Sequence, residues 1–244
     1  MRKLLLISNS TEHGHGYLDH CLPAIDEFLG KIRSVVFVPF ALQDHEGYGA
    51  KARKRLKTIG VTVSILTPDR EGERLARRAE AVFVGGGNTF RLLKTLRESG
   101  LLGILRGRAL AGIPYIGTSA GTNIAAPTIR TTNDMPIVEP GSLDALGLVP
   151  FQINPHFLDA DPKSTHMGET REERLLQFHE ENDAPVLGLR EGAWVRVDGG
   201  HATLGGTHGA RLFLRGRDPV EVAPGEDLDD LLRVETPRLR SSFS

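Results

Sequence analysis

The pentapeptide Gly117-Thr118-Ser119-Ala120-Gly121 fits the G-x-S-x-G elbow, which holds a nucleophilic serine on a strained turn where only small neighbours avoid a clash. The context agrees, with a β-prone run, Pro114 to Ile116, before it and a stretch able to start a helix after it. A helix beginning just after Ser119 aims backbone N–H groups and its positive dipole end at charge developing on a substrate carbonyl oxygen. The same five residues would also make a plain strand-to-helix turn with a serine cap, and the motif alone leaves both readings open. A second special loop, Gly85-Gly86-Gly87-Asn88-Thr89, follows the apolar run Val82-Phe83-Val84. Its glycines let backbone approach a ligand and expose consecutive N–H donors, which suits an oxyanion hole or a phosphate nest. It has neither the Lys-Ser/Thr of a Walker loop nor G-x-G-x-x-G spacing, and a simple turn with Asn88 as helix cap is the alternative.

A serine nucleophile needs a base. His156 stands where the apolar run of Gln152-Ile153-Asn154-Pro155-His156-Phe157 ends and Pro155 fixes the backbone. His13 and His15 lie in a Gly-rich loop that would line the same site, and His45 and His179 fall on polar helical faces. His201 and His208 belong to hairpin texture, and His20 and His166 carry no supporting pattern. For an acid that orients the histidine, Glu191 stands at the end of the run Leu187-Gly188-Leu189-Arg190. Without the other two residues it would read as a surface charge. No H-E-x-x-H, Cys-His cluster or Asp-rich loop supplies metal ligands, and no cofactor is expected.

The elements that must position these side chains alternate. Continuous apolar runs at Lys3 to Ser8, Ser34 to Phe40, Val61 to Leu66, Ala81 to Val84 and Pro114 to Gly117 read as buried parallel strands. Between them the spacing predicts helices over Asp19 to Leu29, Glu46 to Ile59, Glu71 to Ala79, Thr89 to Ser99 and Leu101 to Ala111. The βαβαβ order implies an α/β fold, a doubly wound, mostly parallel sheet with helices on both faces and ligands at the carboxyl ends of its strands. Beyond Ala125 come a Pro- and Gly-punctuated connection, a helix near Glu169 to Glu180, and strands around Val186 to Leu189, Trp194 to Val197 and Arg211 to Arg215. Turns at Asp198-Gly199-Gly200 and Gly216 to Asp218 predict C-terminal β-hairpins. With no repeat, linker or composition break, one domain is expected over 1–234, with 235–244 as a flexible polar tail.

Composition narrows the function. Of 244 residues, 39% are hydrophobic, enough for a globular core. Thirty basic against 31 acidic residues leave a net charge of −1, which removes the long-range field of a nucleic-acid or acidic-membrane binder. Lys51 to Lys57 holds five basic residues in seven, and the balance elsewhere makes it a solvated helix face. The single cysteine, Cys21, forms no intramolecular disulfide, and the N-terminus shows no signal peptide, so a cytoplasmic location is expected. Ala109 to Ile129 is uncharged and long enough to span a bilayer, but its glycines, prolines and hydroxyls break a lipid-facing helix.

Taken in order, Gly85 to Thr89, Gly117 to Gly121, Asn154-Pro155-His156-Phe157 and Glu191-Gly192 resemble the peptidase E family of serine peptidases, the aspartyl dipeptidases, from the N-terminal strand to about Val234. The resemblance implies a sheet like that of class I glutamine amidotransferases, with Ser119 as nucleophile, His156 as base, Glu191 as orienting acid and the Gly87 and Ala120 N–H groups as oxyanion hole. The order Ser, His, Glu differs from that of α/β-hydrolases and argues against an esterase. The implied activity is hydrolysis of dipeptides with an N-terminal aspartate, Asp-X, through an acyl-enzyme, by a monomer or small homo-oligomer. Arg171 then offers a bidentate fork for a carboxylate, with Asn88 and Asp134 as further pocket residues. Rival readings are a cyanophycinase-like β-aspartyl peptidase and a nucleotide-binding sensor without catalysis.

Overall fold

The structure is a computed structural model describing residues 1–160 and 168–234. His166 and the expected tail 235–244 lie outside the described residues. In chain order the first half runs β1 (Lys3–Ile7), α1 (Leu22–Leu29), β2 (Ser34–Val38), α2 (His45–Lys57), β3 (Thr62–Ile65), α3 (Arg70–Arg78), β4 (Val82–Val84), α4 (Thr89–Glu98), α5 (Leu101–Leu110), β5 (Tyr115–Thr118) and α6 (Ala120–Asn123). The second half runs β6 (Gln152–Phe157), α7 (Arg171–Glu181), β7 (Val186–Arg190), β8 (Ala193–Asp198), β9 (His201–Gly206), β10 (Ala210–Phe213), β11 (Val220–Val222) and α8 (Asp229–Leu232).

The main sheet has seven strands in the order β3-β2-β4-β5-β1-β8-β9. The first five are parallel, and the β8–β9 hairpin continues the sheet antiparallel from β1. Both sheet faces are covered, which is why the strands read as unbroken apolar runs rather than alternating ones. Along β1, Leu5 and Ile7 pack with Ile25 of α1 and Leu56 of α2, while Leu4 and Leu6 face the other way, into a core with Leu92 of α4 and Leu105 of α5. That second core also takes Ile153, Leu187 and Leu189 from β6 and β7.

Those two strands belong to a separate four-stranded sheet, β11-β10-β7-β6, in which β6 and β7 are parallel. The hairpins are therefore divided between sheets: β8–β9 turns at Gly199-Gly200 on the first, and β10–β11 closes the second. Three differences from the sequence reading have local causes. α1 begins at Leu22 rather than Asp19, because Pro23 suits only the first helical turn and Asp19 is engaged in accepting from the Gly16 N–H at 2.5 Å. His179 is buried, its Nδ1 3.2 Å from the Asn182 carbonyl, rather than on a polar face. β9 and β11 are the return strands of the two expected hairpins and α6 is the expected helix start after Ser119, whereas the one-turn helix α8 had no sequence pattern.

Candidate active site

β4, β5 and β1 are neighbours in the sheet, so their carboxyl ends bring Gly85, Ser119 and Ser8 to one edge. Ser119 is the residue between β5 and α6, at φ 53° and ψ −111°. The small residues around it follow from contact. A Cβ on Gly117 would lie 2.5 Å from the Gly121 carbonyl oxygen, and one on Gly121 would lie 2.2 Å from that of Val84. A Cβ on Gly86 would lie 2.9 Å from the Ser119 Cβ, so the glycine loop abuts the nucleophile candidate itself. Tyr48 supports the loop from below, its hydroxyl accepting from the Gly86 N–H at 2.8 Å; burial pushes that phenol above its usual range, which keeps it protonated. Among the described residues, the Gly87 and Ala120 N–H groups donate to no protein acceptor outside the regular elements.

His156 and Glu191 come from the second sheet. The β6–β7 register pairs Pro155 with Leu189 and Phe157 with Arg190, which leaves His156 as the extra residue of a bulge. A bulge re-aims a side chain, and here His156 takes φ 55° and points its ring back at the first sheet. Its Nε2 lies 2.9 Å from Ser119 Oγ and its Nδ1 2.6 Å from Glu191 Oε1. An ionised carboxylate only accepts, so the hydrogen sits on Nδ1 and the Nε2 lone pair faces the serine hydroxyl. Glu191 occupies the crossing from β7 to β8, where the Gly192 N–H donates to Asn9 Oδ1 at 2.9 Å.

Ser8 ties the two sheets together. Fully buried, its Oγ accepts from the His156 N–H at 2.9 Å and donates to the Leu189 carbonyl at 2.7 Å. Ser8 and Asn9 are not among the site residues expected from the sequence. The available signal was a polar Ser8-Asn9-Ser10 directly after four apolar residues, at the carboxyl end of a central strand.

A cavity of about 560 Å3 opens over Ser119. Gly86, Gly87, Asp134 and His156 line it, together with Ser10, Tyr17 and a face of α2 that sequence reasoning did not anticipate. Asp134 Oδ2 accepts from the Thr89 N–H at 2.7 Å, the Thr89 hydroxyl at 2.6 Å and the Thr132 hydroxyl at 3.3 Å. Asn88 is engaged in the scaffold: it caps α4 by accepting from the Arg91 N–H at 3.0 Å and donates to the Met135 carbonyl at 2.9 Å.

Arg171 is the first residue of α7, half-buried, and is not among the residues lining the cavity. Burial, then the charge of Arg174, pulls its guanidinium below the usual basicity, and Asp134 opposes them. It makes no hydrogen bond or ion pair among the described residues. A cation at a helix N-terminus works against the dipole, so packing needs do not explain it. Arg174, one turn further along the helix, pairs with Glu169.

The competing groups stand elsewhere. His13, His15 and His208 gather with Glu12 around Glu191, and none of them lines the cavity over Ser119. Cys21 is buried, and loss of hydration pushes its thiol up to about 12, which makes it a poor nucleophile. Among the described residues no group of His, Cys, Asp and Glu is placed to hold a metal ion, and no helix is long and apolar enough to cross a membrane.

Comparison with known proteins adds a family. The model of peptidase family S51 matches residues 4–205. The chain is 58% identical over 233 residues to a peptidase E of Streptomyces coelicolor, covering 95% of each chain. It is 48% identical over 235 residues to a Drosophila melanogaster protein named "probable alpha-aspartyl dipeptidase", covering 95% of this chain and 98% of the other. Among solved structures, a peptidase from an acI-B1 actinobacterium superposes with a TM-score of 0.70 at 17% identity, covering 93% of this chain and 96% of that one, a likeness of fold.

Proposed function

The chain belongs to peptidase family S51 and is a serine-type dipeptidase, and we propose that it removes aspartate from the N-terminus of Asp-X dipeptides through an acyl-enzyme on Ser119. The observation that carries this reading is the continuous relay Ser119 Oγ, His156, Glu191, at 2.9 and 2.6 Å, opening into a charged cavity. Ser119 Oγ attacks the peptide carbonyl while His156 Nε2 takes its proton, and Glu191 holds the imidazole ring in the orientation that this transfer needs. The oxyanion forms against the N–H groups of Gly87 and Ala120, which sit at a glycine turn and at the first residue of α6. His156 then gives the proton to the leaving amine as the C–N bond breaks. Water, deprotonated by the same nitrogen, hydrolyses the ester and frees Ser119.

Aspartate is read by charge. The Asp134 carboxylate, in the cavity wall, receives the substrate ammonium, and Arg171 receives the side-chain carboxylate; its lack of a partner among the described residues leaves its donors for a ligand. The test compares Asp-Leu with Ala-Leu and N-blocked Asp-Leu, using Ser119→Ala as control. Turnover confined to Asp-Leu and lost in the variant supports the reading, and equal turnover of Ala-Leu overturns the specificity.

A further inference from the structure

The face of α2 that looks into the cavity has a composition that neither the relay nor the proposed aspartate contacts use. Asp44, Gly47, Tyr48 and Lys51 fall at helical spacing and all line the space over Ser119. Tyr48 turns inward to hold Gly86. One turn further on, beside the buried Ala52, stands the exposed Lys51. Its ammonium lies 4.6 Å from the centroid of the Tyr17 ring, another wall of the cavity. Such a contact restrains a long side chain without neutralising it.

Two other basic residues of α2 are engaged by the protein. Arg55 pairs with Asp19 at 2.6 Å, and Arg53 donates to the Val63 carbonyl at 3.3 Å. Lys51 has no carboxylate partner among the described residues. The acid nearest along the face, Asp44, is committed to the helix, its Oδ1 accepting from the Gly47 N–H at 2.8 Å. The cavity thus presents an unpaired, pre-positioned cation near Ser119 that the scaffold does not require.

A free Asp-X dipeptide carries three charges: the ammonium, the aspartate carboxylate and the carboxylate of the leaving residue. On the reading above, Asp134 and Arg171 answer the first two, and the third has no counterpart among the family motifs. We propose that Lys51, held over Tyr17, is a subsite for the terminal α-carboxylate of the leaving residue. It reads peptide length, because one residue more replaces that carboxylate by a neutral peptide group. The inference rests on the dipeptidase reading.

The experiment is kcat/KM for Asp-Leu and for its near-isosteric C-terminal amide, in the wild-type enzyme, Lys51→Met and Lys51→Arg. Loss of one charge-assisted contact predicts about a tenfold preference for the free acid in the wild type. Lys51→Met brings that ratio within about twofold of one, and Lys51→Arg keeps most of the preference. Equal turnover of acid and amide by the wild type, or an unchanged ratio in Lys51→Met, overturns the Lys51 subsite alone. Failure of the wild type to cleave either compound overturns the dipeptidase reading and the subsite with it.

Discussion

Ser119 and His156, 37 residues apart and on different sheets, are joined by a 2.9 Å contact and share an uncommon backbone: φ is 53° at the first and 55° at the second. Leu18 is the one other non-glycine residue with positive φ among the described residues. A side chain in that region costs about 1–3 kcal/mol, and such strain persists only where surrounding structure over-determines it. At Ser119 the determinant is the crowded elbow, and at His156 it is the bulge.

Strain at the nucleophile sets activity against stability. Ser119→Ala is expected to lower kcat by at least about 10^4-fold with little change in melting temperature, since among the described residues the hydroxyl bonds only to His156. Ser119→Gly should be equally inactive and more stable than the wild type, by about 1 kcal/mol, because glycine takes φ 53° without penalty. A melting temperature for Ser119→Gly below that of Ser119→Ala would remove strain from the account. Adding His156→Ala to Ser119→Ala should cost little further rate, as expected of residues acting as a unit.

Ser8→Ala tests the tie between the sheets. It leaves the His156 N–H and the Leu189 carbonyl buried without their partner, a loss of about 1–3 kcal/mol. Because the lost contacts hold the two strands bearing His156 and Glu191, kcat should also fall at least about tenfold with KM nearly unchanged. Thr128→Ala, which removes a buried hydroxyl bonded to Gln152 Nε2, serves as control and should lower melting temperature without a comparable fall in kcat. Parallel behaviour of the two variants in kcat would reduce Ser8 to a structural role.

Arg171→Met separates charge from shape, because asparagine is nearly isosteric with aspartate. A partly buried guanidinium that loses its carboxylate costs about 2 kcal/mol, about thirtyfold in rate. The wild type should therefore prefer Asp-Leu over Asn-Leu by at least about thirtyfold in kcat/KM, and Arg171→Met should collapse the ratio. An unaltered ratio would take Arg171 out of the site.

Acid stability should depend on Arg190, which adjoins Glu191. Its guanidinium is bidentate to Asp159 at 2.7 and 2.8 Å and to Glu221 at 2.9 Å, and these bonds hold both carboxyls below the usual carboxylate range. Groups with lowered folded-state pKa add stability above the unfolded value, about 4, and lose it as pH falls through the folded value. The pairs are partly exposed, so Arg190→Met should lower the melting temperature by about 2–4 °C at pH 7. The difference from wild type should shrink as pH falls below about 4. A gap independent of pH would assign the effect to the contact of the Arg190 guanidinium with the Phe157 ring.

Much of this site is local enough to read along the chain. Gly117 and Gly121 are fixed by clashes within the elbow and with β4, and the apolar runs of β1, β2 and β4 by burial on both sheet faces. Sterics and burial act residue by residue, so they leave a pattern in order and type, and that pattern identified Ser119, His156 and Glu191 as candidates. The sequence did not contain their meeting. His156 reaches Ser119 through a bulge in a second sheet, and that sheet is held by Ser8, 148 residues away in the chain. The α2 face bearing Lys51 likewise looked like one turn of a solvated basic helix until Tyr17 and the nucleophile came to stand around it. Contacts of such sequence separation leave no periodicity, because each depends on where two distant backbones cross, and only the packed sheets decide that.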